Sequence, residues 1–202
     1  GERLDTLDLP LMVARNTESQ ATAYTVTVDY RHGTTTGISA ADRAATIRAL
    51  VDPRAQANDF NRPGHVFPLR AAPGGVLTRA GHTEAAVDLT RLAGLRSGGA
   101  LVEIMNDDGT MARRPQLQDF ARTRGLPIIT IKDLVAYRRR TERLVERVSS
   151  ARLPTPFGVF KLVGYRELQS GTEQLAVVMG DVTGGQAPLV RVHSECRTSE
   201  VF

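Results

Sequence analysis

Tryptophan is absent, cysteine occurs once, and aromatic residues make up only 5% of the 202 positions. The single cysteine, Cys196, cannot close an internal disulfide, which fits a reducing compartment, and cannot alone form a thiolate metal site. Lysine is nearly missing as well: of 26 basic residues only Lys132 and Lys161 are lysines. The sequence pI of about 9.7 is therefore an arginine effect, and arginine suits bidentate capture of phosphate or carboxylate. These arginines are scattered, with no interleaved aromatics and no helix-turn-helix or zinc-finger spacing, so no nucleic-acid partner is expected. Long apolar runs are lacking too. Leu126-Pro127-Ile128-Ile129 and Leu175 to Met179 fall far short of the roughly 20 residues that cross a bilayer, so no membrane partner is expected. The chain opens Gly-Glu-Arg-Leu-Asp, without an initiator Met or an apolar signal region. The expectation is a cytoplasmic location and a segment of something longer.

What remains is a globular composition, with 41% hydrophobic and 24% charged residues and a net charge of +4. Residues 1–150 hold 21 Lys/Arg against 17 Asp/Glu, while residues 151–202 hold 5 against 5, so the excess charge belongs to the first part. Ala23 to Tyr30 alternates faces and is rich in β-branched residues, predicting a strand. A hydroxyl-rich loop, Thr34 to Ser39, leads into a helix from Ala40 to Val51, with Ser39 and Asp42 placed as a capping pair and Asp52-Pro53 as its end. His65 to Arg70 and Val76 to Arg79 predict short strands between turns. Thr83 to Ala93 predicts a helix, Thr83 its cap and Gly94 its stop, with Ala86, Val87, Leu89, Leu92 and Ala93 on one apolar face. Strands are expected over Leu101–Met105 and Leu126–Ile131, and helices over Pro115–Arg124 and Asp133 to about Ser149. The arginines of that last helix, Arg138 included, are expected on a solvated face. Prolines 154 and 156 and the change in charge balance suggest a linker at 149–156, dividing the chain into 1–149 and 150–202. The second part predicts strands over Phe157–Tyr165, Gln174–Val182 and Leu189–His193. The fold class is α+β, mixed α/β layers followed by a short, mostly-β C-terminal piece.

Few residues carry chemistry by their setting. Arg79-Ala80-Gly81-His82-Thr83-Glu84 places an imidazole and a planar cation at a helix start, where free N–H groups and small residues admit an anion. That makes a phosphate cradle, unless His82 merely orients the loop and Arg79 is a solvated charge. Glu103 stands within an apolar run, either as a general acid or base or turned to solvent or a structural arginine. Gly64-His65-Val66 is the other histidine setting that suggests work. Asp107-Asp108-Gly109 lacks the remaining spacing of a calcium loop and reads as a turn.

Taken together, Thr35 to Arg43, Asn61 to Arg70, Gly74 to Ala85, Glu103 and Asn106 to Ala112 resemble the 3,4-dihydroxy-2-butanone 4-phosphate synthase family of riboflavin biosynthesis. The resemblance covers about residues 3–148. From Leu153 to Cys196 the chain resembles the opening of GTP cyclohydrolase II, the order found in bifunctional riboflavin enzymes. The resemblance implies a homodimeric lyase that converts ribulose 5-phosphate to 3,4-dihydroxy-2-butanone 4-phosphate and formate with Mg2+ or Mn2+. It assigns His82 as metal ligand, Arg79, Ala80, Gly81, His82, Thr83 and Glu103 to substrate, and His65 and Glu103 to catalysis. The family's acidic loop, Asp-Arg-Glu-x-Glu-Gly-Asp, which supplies the other metal ligand, has no counterpart in these 202 residues. Cys196 matches only the first of three zinc-ligating cysteines, so the Zn2+ site is incomplete and no cyclohydrolase activity is expected from this chain. Arg191 to Glu195 match a nucleotide-binding segment of that family. Two rival readings stand beside the lyase: a non-catalytic relative that dimerises with or scaffolds a longer riboflavin enzyme, and an enzyme acting on another sugar phosphate.

Overall fold

The computed structural model describes residues 1–185 and 187–193, so Cys196 and Ser194-Glu195 lie outside the described residues. Two units are distinguished, one of residues 1–140 and one beginning at Thr141.

In the first unit, α1 (Glu2–Thr6) leads to β1 (Val28–Tyr30), which pairs antiparallel with β2 (Phe60–Val66). Of the strand expected over 23–30 only the last three residues enter this ladder, while Tyr24 and Thr25 make isolated bridges to Leu69 and Leu11. Between them runs α2 (Ala40–Val51), begun by the Ser39 hydroxyl, which accepts from the Asp42 N–H at 3.1 Å. Leu7, Leu9, Val28, Ala49 and Phe60 form the core that packs these elements together. A second cluster, Val76, Ala85 and Leu134, joins a 3-10 turn over Gly75–Leu77 to α3 (His82–Leu92) and α5 (Ile131–Thr141). The strand expected at Val76–Arg79 is that 3-10 turn. Gly74 and Gly75 both have positive φ and coil the chain instead of extending it.

Helix α4 (Arg114–Arg124) closes on Gly125 in the left-handed conformation. The strands expected at Leu101–Met105 and Leu126–Ile131 do not form. Among the described residues the first forms only the isolated bridge Met105 to Met111, and Leu101, Val102, Met105, Leu126, Ile128 and Ile129 stay exposed. The first segment bonds only to its own return: the N–H of Asn106 to the Thr110 carbonyl, and the N–H of Ala112 to the Ile104 carbonyl. Asp107-Asp108-Gly109 is the turn between them, with Gly109 at φ 85°.

Helix α5 ends at Thr141, short of the expected Ser149, because β-branched residues from Val145 onward are taken into β3 (Val145–Thr155). In this second unit β3 pairs with β4 (Gly158–Glu167), which pairs with β5 (Glu173–Val178), giving an antiparallel β3-β4-β5 sheet. The proline-rich segment expected as a linker is the end of β3 and its hairpin turn. Pro154 is tolerated because β3 is an edge strand, and the Thr155 hydroxyl donates to Gly158 and accepts from the Phe157 N–H. Leu189–His193 forms no strand. No helix among the described residues is long and apolar enough to cross a membrane.

Candidate active site

Histidine 65 is delivered by an irregularity. Between Val28 and Asp29 the β1–β2 register jumps, their partners being Val66 and Asn61, so the segment between bulges out of the ladder. Gly64 makes this possible, since a Cβ there would lie 2.0 Å from the Val28 carbonyl carbon. The bulge drops His65 onto Asp29: its backbone N–H donates to Oδ1 at 2.9 Å, and its Nδ1 lies 2.6 Å from Oδ2. The Asp29 side chain is 11% exposed and that of His65 43%. Gly37 packs against the other side of this carboxylate, where a Cβ would come within 2.1 Å of Oδ2. Gly37 in turn is held by Asp42, whose carboxylate accepts from the Gly37 N–H at 3.0 Å and the Thr35 hydroxyl at 2.7 Å. The Thr35 hydroxyl, with the Thr35 and Gly37 N–H groups, holds the Asp42 carboxyl below the ordinary carboxylate range. The hydroxyl-rich loop is thus wired to α2 at one end and to the His65 pair at the other.

The second feature is the start of α3. Its cap is Gly81, two residues before the expected Thr83, and no side chain closes its first turn. Thr83 is buried instead, and His82 is exposed at the first helical position. Arg79 is not a free surface cation. Its Nη1 donates to Glu84 at 2.7 Å and its Nη2 to the Gln20 carbonyl at 3.0 Å. Glu84 is 1% exposed and also accepts from the Ala72 N–H at 2.8 Å. Gly81 leaves room for this pair: a Cβ there would lie 2.4 Å from Arg79 Nη1 and 2.5 Å from Glu84 Oε2.

One turn later Asp88, also buried, accepts from the Val76 N–H and from Arg138, each at 2.8 Å, while Arg138 donates to the Gly74 carbonyl at 2.7 Å. Arg138 is therefore buried, not on a solvated face. The face of α3 that packs inward is Thr83, Glu84, Ala85 and Asp88. Leu89 and Leu92, expected in the core, are exposed, because the acids are taken up by the loop amides and arginines. Asp29 and Asp88 escaped the sequence reading, Glu84 entered it only as the end of the Arg79 motif, and Arg138 only as a solvated charge. For the two acids on α3 the available signal was their i, i+4 spacing.

His82, Ala86 and Leu89 border an open groove of about 770 Å³, bounded across from them by Gly99–Leu101 and Ile129–Leu134. The groove shows that the exposed apolar segments and the helix start share one side of the unit. Glu103 lies just beyond Leu101 on the same loop and is exposed, so the expected apolar strand around it does not exist. The exposed His82 imidazole is a potential single ligand for a divalent ion. Among the described residues no three His, Cys, Asp or Glu side chains converge, so the several oxygen donors that Mg2+ or Mn2+ requires are not assembled by them.

A mixed α+β domain of this layout is the fold of solved 3,4-dihydroxy-2-butanone 4-phosphate synthases. RibBX, a two-domain synthase from A. baumannii, superposes with TM-score 0.77 at 48% identity, over 91% of this chain and 54% of that one. A synthase described in complex with two magnesium ions superposes with TM-score 0.62 at 47% identity, over 69% of this chain and 70% of that one. Residues 1–137 match the 3,4-dihydroxy-2-butanone 4-phosphate synthase family and residues 146–202 match GTP cyclohydrolase II. The chain belongs to the synthase family and continues into a cyclohydrolase II segment. Riboflavin biosynthesis protein RibBA of Salinispora arenicola is 60% identical over 201 residues, covering 100% of this chain and 48% of that protein. The chain spans about half the length of the curated relatives it matches.

Proposed function

We propose that the chain serves riboflavin biosynthesis as a lyase domain that converts ribulose 5-phosphate to 3,4-dihydroxy-2-butanone 4-phosphate and formate. The observation that carries this reading is the start of α3, where His82 stands exposed beside first-turn N–H groups that no side chain caps. Those amides and the helix dipole suit a phosphate or an oxyanion. The outer face of Arg79, which Glu84 fixes in place, adds a planar cation. His65 is the candidate proton acceptor in the rearrangement and Glu103, on the exposed loop beside the groove, the candidate acid. Magnesium or manganese belongs to the proposal for the whole protein, to which this chain brings His82. A homodimer and a cytoplasmic location belong to it as well, on the strength of the family. The domain division into 1–149 and 150–202 belongs to the proposal as well, beside the two units of residues 1–140 and from Thr141 onward.

The test is formate release from ribulose 5-phosphate by the purified chain with magnesium, beside a chelator control and His82→Ala. Chelator-sensitive formate that His82→Ala lowers by roughly 10²-fold or more supports the reading. A folded sample that releases no formate would move the reading to the non-catalytic scaffold.

A further inference from the structure

We propose that Glu18 is a positioning residue of the phosphate cradle: by knotting the loop of residues 16–22 it seats the Gln20 carbonyl on Arg79 and so fixes the guanidinium beside the start of α3. Its effect on substrate rests on the lyase reading above, whereas its hold on Arg79 stands without it.

The guanidinium is gripped from two sides. Glu84, on α3, takes Nη1 at 2.7 Å, and the Gln20 carbonyl, 59 residues away in the chain, takes Nη2 at 3.0 Å. A single contact leaves such a group free to turn about it, whereas contacts at both nitrogens fix its plane. The place where it is fixed is the helix start itself, since a Cβ on the cap residue Gly81 would lie 3.1 Å from Arg79 Cζ. Each Nη is engaged once, so the fork keeps hydrogens for an anion, and the Arg79 side chain is 33% exposed. A fork set before its ligand arrives loses less rotamer freedom when it binds.

The Gln20 side of this grip has no helix or strand behind it, and residues 16–21 are exposed. Polar bonds shape the loop instead. The Glu18 carboxylate accepts from the Gln20 N–H at 2.9 Å and the Ser19 hydroxyl at 3.1 Å on Oε1, and from the Thr22 N–H at 2.9 Å on Oε2. Asn16 closes the same knot: its Oδ1 accepts from the Glu18 N–H and its Nδ2 donates to the Thr22 carbonyl, each at 2.9 Å. The peptide group between Gln20 and Ala21 is held at both ends. Its N–H donates to the Glu18 carbonyl at 3.0 Å while its carbonyl accepts from Arg79. Ala21 has φ 52°, in the left-handed region that costs a residue with a Cβ, so the knot maintains a strained turn next to the carbonyl that meets Arg79. The same bonds, that of the Thr22 N–H first, hold the Glu18 carboxyl down at about 2, so the knot stays tied at neutral pH.

A mutant cycle between Glu18 and Arg79 tests this, with inorganic phosphate titrated into the 15N-labelled chain and the His82 and Thr83 amides followed. Glu18→Ala should raise the phosphate dissociation constant about 3- to 10-fold, and Glu18→Gln, which keeps one acceptor oxygen, should fall between. In an Arg79→Ala background Glu18→Ala should change nothing further. The Val28 and Phe60 amide shifts report whether each variant is folded. An unchanged constant in Glu18→Ala overturns the proposal, and so does an equal loss without Arg79, which would show that the loop does not act through it. Guanidinium 15N–1H spectra, assigned with Arg79→Ala, read the grip itself: separate Nη signals in the unaltered chain should exchange faster in Glu18→Ala. If phosphate moves no amide of the unaltered chain, the phosphate reading fails and these spectra decide the grip, which Nη signals unaffected by Glu18→Ala would overturn. If the chain releases formate, Glu18→Ala should raise KM for ribulose 5-phosphate by the same factor at nearly constant kcat, and a loss confined to kcat would contradict the positioning role.

Discussion

Adding a single methyl group at Gly81 would set it 2.4 Å from Arg79 Nη1 and 2.5 Å from Glu84 Oε2. The pair must part to admit it, and Glu84, almost wholly buried, would lose its cation. Gly81→Ala should therefore cost about 1–3 kcal/mol, the range for a hydrogen bond to a charged group left unmade, seen as a lower urea midpoint. An unchanged midpoint would show that the helix start tolerates the methyl. Asp42 makes a pH prediction. Hydrogen bonds headed by the Thr35 hydroxyl depress its folded-state pKa, so its contribution is fully present above the unfolded value. It is lost as pH falls through the lower folded value. Asp42→Asn should thus melt lower than the parent at neutral pH, with the gap closing below about pH 4. A gap that is constant across the acid range would contradict this. Much of this scale was legible: His65, Arg79 and His82 were singled out by their neighbours in the chain. Asp29 was not, because its partner is 36 residues away and its own setting, the end of an apolar strand, looks ordinary.

At the scale of elements, α2, α3 and α4 follow from caps, stops and periodicity, since each is encoded within its own dozen residues. The strands expected at Leu101–Met105 and Leu126–Ile131 show where that logic ends. An apolar run has strand propensity, but it becomes a strand only when a neighbouring strand takes up its amides, and among the described residues the first run makes no more than the isolated Met105–Met111 bridge. The inward face of α3 misled in the opposite sense. Leucine periodicity pointed to a core, whereas the buried positions are two acids that stitch the Ala72–Val76 loop, one of them tied to α5 through Arg138. Because the Arg138–Asp88 pair is buried on both sides, removing one partner takes the short charged contact from the other. Arg138→Ala or Asp88→Ala should each destabilise by about 3–5 kcal/mol, and replacing both with apolar residues should cost less than the sum. Urea unfolding of the two single variants and the double variant measures this. Additive losses would show that the side chains do not act as a pair.

Across the whole molecule, the two units differ in how much they bury. The first holds two apolar clusters, while among the described residues of the second only Val163 is a buried hydrophobic. A three-stranded sheet with so little core opens easily. Amides of β4 should exchange with solvent faster than those of α2 and β1, and equal protection would contradict that ordering. The α3 start and the His65 bulge are proposed to serve one sugar-phosphate site. The most direct test is to titrate ribulose 5-phosphate into the 15N-labelled chain while following the His82 and Thr83 amides and the His65 ring. The account predicts that these signals move together with one dissociation constant and that inorganic phosphate competes for the amides but leaves the ring in place. Signals at His82 and Thr83 that stay still, or that move independently of His65, would contradict it.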